Sequence, residues 1–277
     1  MKRTLIGGLV IVAVIVAAPA GAGRLAAAGY PSSMVVLGGS DAVGYGSDPA
    51  HPYAVAPADS WATGTNTAVN SIYLRLLAVN PAIKGHNFNV ARGDGGIEAL
   101  AGQVDRALNL EPKPQLVLVQ VSGDIRCDGQ DEGRVTPFGT DVSNALGRLS
   151  KGLPDARILL VSSWGSISSY LTYLRGLPTG ARLKHAGKGP CQLVLSPTGA
   201  VEASHAAYIE KFIRAYDGQL ASVCKQFPNC HYDGGAAARW GVTAEDISLD
   251  QEHLTSQGQA KLAAIEWAAM AGFVKGL

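Results

Sequence analysis

The sequence has little charge and no excess of one sign. Its 277 residues are 16% charged, and the formal net charge is +1. Proteins that bind a nucleic-acid backbone or an anionic membrane surface usually carry a clear basic excess. The charge balance therefore argues against a nucleic-acid partner, while a hydrophobic content of 47% is typical of a globular protein.

Several local patterns are missing as well, and each absence argues against a class of site. No CxxC pair occurs among the four cysteines, so their spacing does not indicate a metal site. The glycine-rich segments contain neither a GxGxxG sequence nor a P-loop lysine, which argues against a bound nucleotide. No internal repeat, low-complexity tract or domain linker divides the chain. We therefore predict a single domain with no metal and no cofactor.

The N-terminus carries an apolar run at residues 5–18. The run is shorter than the roughly 20 residues that a membrane-spanning helix needs. Two basic residues precede it and small residues follow it, an order typical of a secretory signal peptide. We predict that residues 1–22 are removed, that residues 23–277 form the secreted domain, and that no stable membrane span remains. The alternative is an uncleaved N-terminal anchor.

Export would place the four cysteines in an oxidising compartment, where thiols tend to form disulfides. Four cysteines allow three pairings. Cys224 and Cys230 flank a Pro-Asn turn in the segment CKQFPNC and can close a short loop. That pairing leaves Cys127 to pair with Cys191.

Short apolar segments alternate along the chain with longer segments of helical periodicity. Such alternation predicts a parallel sheet that is covered by helices on both faces. We expect strands at residues 34–37, 87–91, 116–121, 157–163 and 230–233. We expect helices at residues 67–79, 97–108, 141–149, 201–223 and 256–270.

Ligands of an open parallel sheet bind beyond the carboxyl ends of the strands. The first strand runs into VVLGGSDAVGYG, which places Ser40 after two glycines at the start of a helix. A serine in that position often only caps the helix. Near the C-terminus, LDQEHLTSQGQAKLA places Asp250 three residues before His253. An imidazole that removes the proton of a serine hydroxyl turns it into a nucleophile, and a carboxylate on the other ring nitrogen orients the imidazole.

These two segments resemble the first and last blocks of the GDSL or SGNH hydrolases, and the segments between them resemble a secreted actinobacterial branch of that family. The resemblance implies a flavodoxin-like three-layer α/β/α sandwich with a five-stranded parallel sheet. It also implies that Ser40 is the nucleophile, His253 the base and Asp250 the residue that orients the base. Glu252 is the nearest rival for the orienting role.

The family usually stabilises the oxyanion with the amide of the nucleophile, a glycine after the second strand and an asparagine after the third. In the second block we favour Gly93, although an ungapped alignment places Asp94 there. In the third block Gly123 stands in place of the asparagine, and a shifted register places Asp124 there. We expect that Gly123→Asn restores a donor and raises turnover.

The resemblance thus predicts a secreted, monomeric esterase or lipase that cleaves a small-molecule, lipid or glycan ester through an acyl-enzyme. All three altered blocks fall at the expected site, so a second hypothesis stays open. In that hypothesis the protein is a noncatalytic or weakly active member of the same fold that binds an acylated cell-wall glycan or lipid.

Overall fold

A computed structural model describes residues 29–184, 186 and 194–274. The predicted signal peptide and Cys191 lie outside these residues. The strands pair in parallel to form one five-stranded sheet in the order β2-β1-β3-β4-β5. This arrangement confirms the predicted α/β fold class. The strands are β1 Met34–Gly38, β2 Asn87–Asn89, β3 Leu116–Gln120, β4 Arg157–Val161 and β5 Cys230–Tyr232.

Helices follow the strands and return the chain across the sheet. Helix α3 begins well before the predicted residue 141, and two helices between β4 and the predicted 201–223 helix were not expected. The helices are α1 Ile72–Val79, α2 Leu100–Leu108, α3 Asp131–Gly152, α4 Ile167–Gly176, α5 Thr179–Leu183, α6 Ala203–Cys224 and α7 Ser256–Met270.

The two faces of the sheet carry separate hydrophobic cores because neighbouring side chains along a strand point to opposite faces. In β3, Val117 and Val119 pack with apolar residues of α2, α3 and α6. Leu116 and Leu118 pack on the other face with residues of α1 and α7. The result is the three-layer α/β/α arrangement, with the carboxyl ends of the strands left uncovered.

A disulfide joins Cys224 at the end of α6 to Cys230 in β5, with the two Cα atoms 5.3 Å apart. This pairing confirms one of the two predicted disulfides. The other, Cys127 with Cys191, involves a residue outside the described ranges and stays a prediction. No helix in the described part of the chain is long and apolar enough to cross a membrane.

Candidate active site

Ser40 lies beyond the carboxyl end of β1 and precedes a short 3₁₀ turn, Asp41–Val43. Its side chain makes no capping hydrogen bond to that turn, so the simple capping role does not apply. Instead, Ser40 Oγ lies 2.8 Å from Nε2 of His253. The hydroxyl is therefore held by an imidazole from the other end of the sequence.

Asp250 and His253 belong to a tight loop that is closed by a β-bridge between Ile247 and Leu254. Within this loop Asp250 Oδ1 accepts the backbone N–H groups of Glu252 and His253, at 2.9 and 3.0 Å. Asp250 Oδ2 lies 2.7 Å from Nδ1 of His253. The structure thus brings Asp250, His253 and Ser40 together in the predicted order, and Asp250 rather than Glu252 contacts the ring nitrogen.

The Asp250–His253 pair is shielded from water. The side chains are only 8% and 17% exposed. Gly46 packs against them in a left-handed conformation, with φ of +74°, and a Cβ there would lie 3.1 Å from Asp250 Oδ2. Ser248 Oγ also donates to Asp250 Oδ1 at 2.6 Å. Neither Gly46 nor Ser248 carries a sequence signal, because both act through the folded chain.

Burial and hydrogen bonding oppose each other in this pair. Burial alone would raise the pKa of the Asp250 carboxyl, but hydrogen bonds from His253, Ser248 and the Glu252 amide hold that pKa well below its usual range. Burial alone would lower the pKa of His253, but the hydrogen bond to Asp250 and the charges of Asp41 and Asp250 raise it above its ordinary value. An ionised carboxylate therefore supports an imidazole that can accept a proton.

A second carboxylate, Asp41, follows the serine directly. Trp164 Nε1 donates to Asp41 Oδ2 at 2.6 Å. The other oxygen, Oδ1, is buried and has no hydrogen-bond partner among the described residues. Burial raises the pKa of Asp41, while the nearby His253 opposes that effect. Asp41 therefore links the turn after Ser40 to the segment after β4.

The backbone amides of Ser40 and Gly93 have no protein acceptor within the described ranges. The amide of Gly95 already donates to the carbonyl of Arg92 at 3.0 Å. The carboxylate of Asp94 pairs with the Arg92 guanidinium at 3.0–3.1 Å on the exposed surface. Of the candidates in this block, Gly93 thus has the amide available for a ligand.

The third block differs from the expectation. A Cβ on Gly123 would lie 2.2 Å from the ring of Tyr216, so the position has no space for an asparagine side chain. Tyr216 also donates its hydroxyl to the carbonyl of Asp124 at 3.1 Å. The Asp124 carboxylate pairs with Arg126. A Gly123→Asn change is therefore expected to disturb the packing of Tyr216 rather than to raise turnover.

A cleft of about 690 Å³ opens beside Ser40. Its glycine-rich wall consists of backbone that follows β1 and β2. The lining also includes the largely apolar residues Val121, Ile125, Ile167, Tyr170, Ile209 and Ile213. The cleft can therefore hold a ligand that has a polar reacting group and an apolar portion.

Comparisons with known proteins show a shared fold but no match at the level of sequence. No protein-family model and no curated protein matches the sequence. A GDSL-like lipase from Parabacteroides merdae superposes with a TM-score of 0.55 at 13% identity, and the match covers 89% of this chain and 99% of that one. The lipase Lip_vut3 from a goat rumen metagenome gives 0.50 at 14% identity, with 88% and 99% covered.

A third match, the salicylyl-acyltransferase SsfX3 from a tetracycline biosynthetic pathway, has a TM-score of 0.49 at 15% identity. It covers 88% of this chain, which spans only 55% of the length of that protein. A TM-score at this level carries no argument about fold. The first two similarities establish that the chain has the three-layer fold of GDSL-type lipases, and at such low identity they establish the fold alone.

Proposed function

We propose that the protein is a secreted serine hydrolase that cleaves carboxylic esters through an acyl-enzyme. The observation that carries this proposal is the unbroken series of hydrogen-bond contacts from Asp250 through His253 to Ser40, with distances of 2.7 and 2.8 Å. Nucleophile, base and orienting carboxylate in this order are the parts that acyl transfer requires. The fold shared with GDSL-type lipases is compatible with the same chemistry.

In the proposed reaction Ser40 Oγ attacks the ester carbonyl carbon while its proton passes to Nε2 of His253. The tetrahedral intermediate collapses when His253 returns that proton to the leaving alkoxide, which departs as the alcohol. Water then attacks the acyl-enzyme with His253 again as base, and the carboxylic acid leaves as Ser40 regains its proton. Asp250 stays ionised throughout, because its pKa lies well below the usual range.

The negative charge that develops on the carbonyl oxygen needs donors that are already in place. We assign this role to the backbone amides of Ser40 and Gly93, which have no other acceptor in the described part of the chain. Gly123 does not offer a side-chain donor in this scheme. The substrate is an ester of a small molecule, a lipid or a glycan, and we propose that the enzyme acts as a monomer.

We also propose that residues 1–22 direct export and that residues 23–277 form one catalytic domain. The order of basic, apolar and small residues supports export, and the Cys224–Cys230 disulfide is compatible with an oxidising compartment. N-terminal sequencing of protein from the culture medium tests the cleavage, and an intact residue 1 would contradict it. Nonreducing peptide mapping tests the Cys127–Cys191 pair, and a free thiol at either position would contradict that pairing.

The ester-hydrolase proposal is tested with a chain-length series of p-nitrophenyl esters followed by acetylated glycans. Ser40→Ala is expected to remove hydrolysis of every ester that the natural protein cleaves. Ser168→Ala is the matched control because Ser168 is an exposed residue of α4, and this variant is expected to keep its rate. Absence of hydrolysis by the natural protein, combined with binding of an acylated glycan or lipid, would favour the noncatalytic alternative.

A further inference from the structure

Gln120 is the last residue of β3 and has no sequence motif around it that marks it as functional. In the parallel register of β1 and β3 it stands beside Gly38, shortly before Ser40. Its side chain is mostly buried, and the residue lines the cleft together with Gly39 and Ser40. The position alone places an amide group near the proposed nucleophile.

The orientation of this amide is fixed by an indole. Trp61 Nε1 donates to Gln120 Oε1 at 2.7 Å. An indole N–H can only donate, so it must bind the oxygen of the amide. The amide nitrogen, Nε2, then points away from the indole. Trp61 is itself fully buried, and its backbone amide donates to Gln259 Oε1 at 2.9 Å. Gln259 Nε2 in turn donates to the carbonyl of Asp41 at 3.1 Å.

The same hydrogen-bond chain therefore holds both the Gln120 amide and the turn that carries Ser40. Gln120 Nε2 has no hydrogen-bond acceptor among the described residues, and the residue lines the cleft beside Ser40. An amide nitrogen that has no protein acceptor and belongs to a cleft-lining residue is available to a ligand. The nearest ligand group in the proposed reaction is the ester at Ser40.

The proposed reaction also lacks a third donor. The Tyr216 ring fills the space in which an asparagine at position 123 would extend its side chain. The Asp124 carboxylate is an acceptor that pairs with Arg126. The third block thus supplies no amide side chain, whereas β3 supplies one at its last residue.

We propose that Gln120 Nε2 donates a hydrogen bond to the oxyanion, alongside the backbone amides of Ser40 and Gly93. The inference rests on the proposed ester hydrolysis and assigns it a further catalytic residue. It gives Trp61 a positioning role, because the indole fixes which end of the Gln120 amide faces the substrate.

Ser122 is a rival side-chain donor in the cleft, two residues after Gln120. It is exposed, and no contact with the described part of the chain fixes the direction of its hydroxyl. A donor that can rotate must be reoriented during the reaction, whereas preorganised donors need no such step. We therefore assign the oxyanion contact to Gln120, test Ser122 as the rival donor with Ser122→Ala, and use Ser168→Ala as the control outside the cleft.

Two substitutions separate a catalytic role of Gln120 from a structural one. Gln120→Glu keeps an oxygen that can accept the Trp61 N–H, but it replaces the Nε2 donor with a carboxylate oxygen. Gln120→Met loses both the donor and the acceptor. A structural role predicts that Glu is tolerated better than Met, whereas an oxyanion role predicts that Glu lowers kcat at least as much as Met.

The measurements are steady-state hydrolysis of a short-chain ester and binding of a trifluoromethyl ketone, which forms a tetrahedral adduct with an active serine. Both Gln120 variants are expected to lose on the order of 10²-fold in kcat and a similar factor in ketone affinity, with KM within about threefold. Ser168→Ala, outside the cleft, is expected to keep both values within about twofold, and Ser122→Ala is expected to lose less than either Gln120 variant. Thermal unfolding of each variant checks that the fold is intact.

Retention of kcat within about threefold by Gln120→Glu would overturn the inference, as would losses in Ser122→Ala that exceed those of the Gln120 variants. If Gln120→Met does not fold, Gln120→Glu alone decides, since it keeps the contact with Trp61. A different result would show that the proposed ester hydrolysis itself is wrong. In that case the natural protein neither cleaves esters nor binds the ketone, and the role of Gln120 falls with it.

Discussion

The chain contains two Asp-x-x-His pairs of nearly the same local geometry, and only one of them lies against a serine. In the first, His51 Nδ1 lies 2.8 Å from Asp48 Oδ2, and Asp48 Oδ1 accepts the amide of Ala50 at 2.9 Å. In the second, the corresponding distances from His253 Nδ1 to Asp250 Oδ2 and from the Glu252 amide to Oδ1 are 2.7 and 2.9 Å.

The surroundings of the two pairs differ sharply. The side chain of His51 is 74% exposed, whereas that of His253 is 17% exposed. Asp250 also receives the hydroxyl of Ser248, and Nε2 of His253 faces Ser40 Oγ. The hydrogen bond from His51 lowers the pKa of Asp48, but water screens the charges of an exposed pair, so the contact contributes little free energy.

The spacing of the motif therefore sets the local turn, and the fold sets the chemistry. An aspartate three residues before a histidine folds back onto the ring in either place. Only the pair that precedes α7 is enclosed and directed towards the end of β1, where parallel strands bring ligand-binding groups together. Because Asp48–His51 has the same spacing, it serves as an internal control for the role of Asp250–His253.

The largest contrast is expected from removing each imidazole. His253→Ala removes the proposed base and should lower kcat for a p-nitrophenyl ester by at least about 10⁴-fold. His51→Ala removes an exposed ring and should leave kcat within about twofold. Steady-state kinetics on both purified variants makes the comparison. Equal losses in the two variants would mean that the exposed pair contributes to catalysis.

Replacing the aspartate of each pair is expected to give a somewhat smaller difference in kcat than replacing the histidine. Asp250→Asn keeps the size of the side chain but removes the charge that orients and stabilises the imidazolium, and should lower kcat by roughly 10³- to 10⁴-fold. Asp48→Asn alters an exposed pair and should leave kcat nearly unchanged. The same ester assay measures both. An Asp250→Asn variant with more than a tenth of the natural kcat would contradict the orienting role.

The pH dependence of kcat/KM also distinguishes the Asp250–His253 pair from the Asp48–His51 pair. The base must be neutral to accept a proton, and the pKa of His253 in the fold is raised above its ordinary value of 6.5. Activity is therefore expected to fall as pH drops through a midpoint above 6.5, by about tenfold for each further pH unit. Asp48→Asn should leave this midpoint in place. A midpoint clearly below 6.5 would contradict the electrostatic description of the site.

The smallest effect is expected at Ser248, whose contact with the carboxylate has no counterpart at Asp48. Ser248→Ala removes one of the hydrogen bonds that hold the pKa of Asp250 low. A hydrogen bond to a charged group contributes about 1.5–3 kcal/mol. Because His253 and two backbone amides still hold the carboxylate, we expect a loss of about tenfold in kcat. The variant should fold normally. An unchanged kcat would show that the remaining contacts suffice to position Asp250.

Local sequence signals predicted the strands well and the helices less completely. The five observed strands begin where apolar, β-branched segments begin and end within about two residues of the expected positions. Helix α3 starts at Asp131 rather than at 141, because Gly133 and Pro137 weaken the helical signal in its first turns. Helix α4 was missed because its serines obscure the apolar periodicity.

The site was predictable only in part. Ser40, Asp250 and His253 could be proposed from two short motifs, although the Asp48–His51 pair shows that spacing alone does not single out one of them. The contact between Trp61 and Gln120 could not be proposed, because it joins residues 59 positions apart and depends on the packing of the folded chain.

The central claim is that His253 activates Ser40 as a nucleophile. The direct measurement is labelling with a fluorophosphonate, followed by intact-mass analysis and peptide mapping. We expect one adduct per chain at Ser40 in the natural protein, no adduct at that position in Ser40→Ala, and strongly slowed labelling in His253→Ala but not in His51→Ala. An unlabelled natural protein, or an adduct on a different residue, would contradict it.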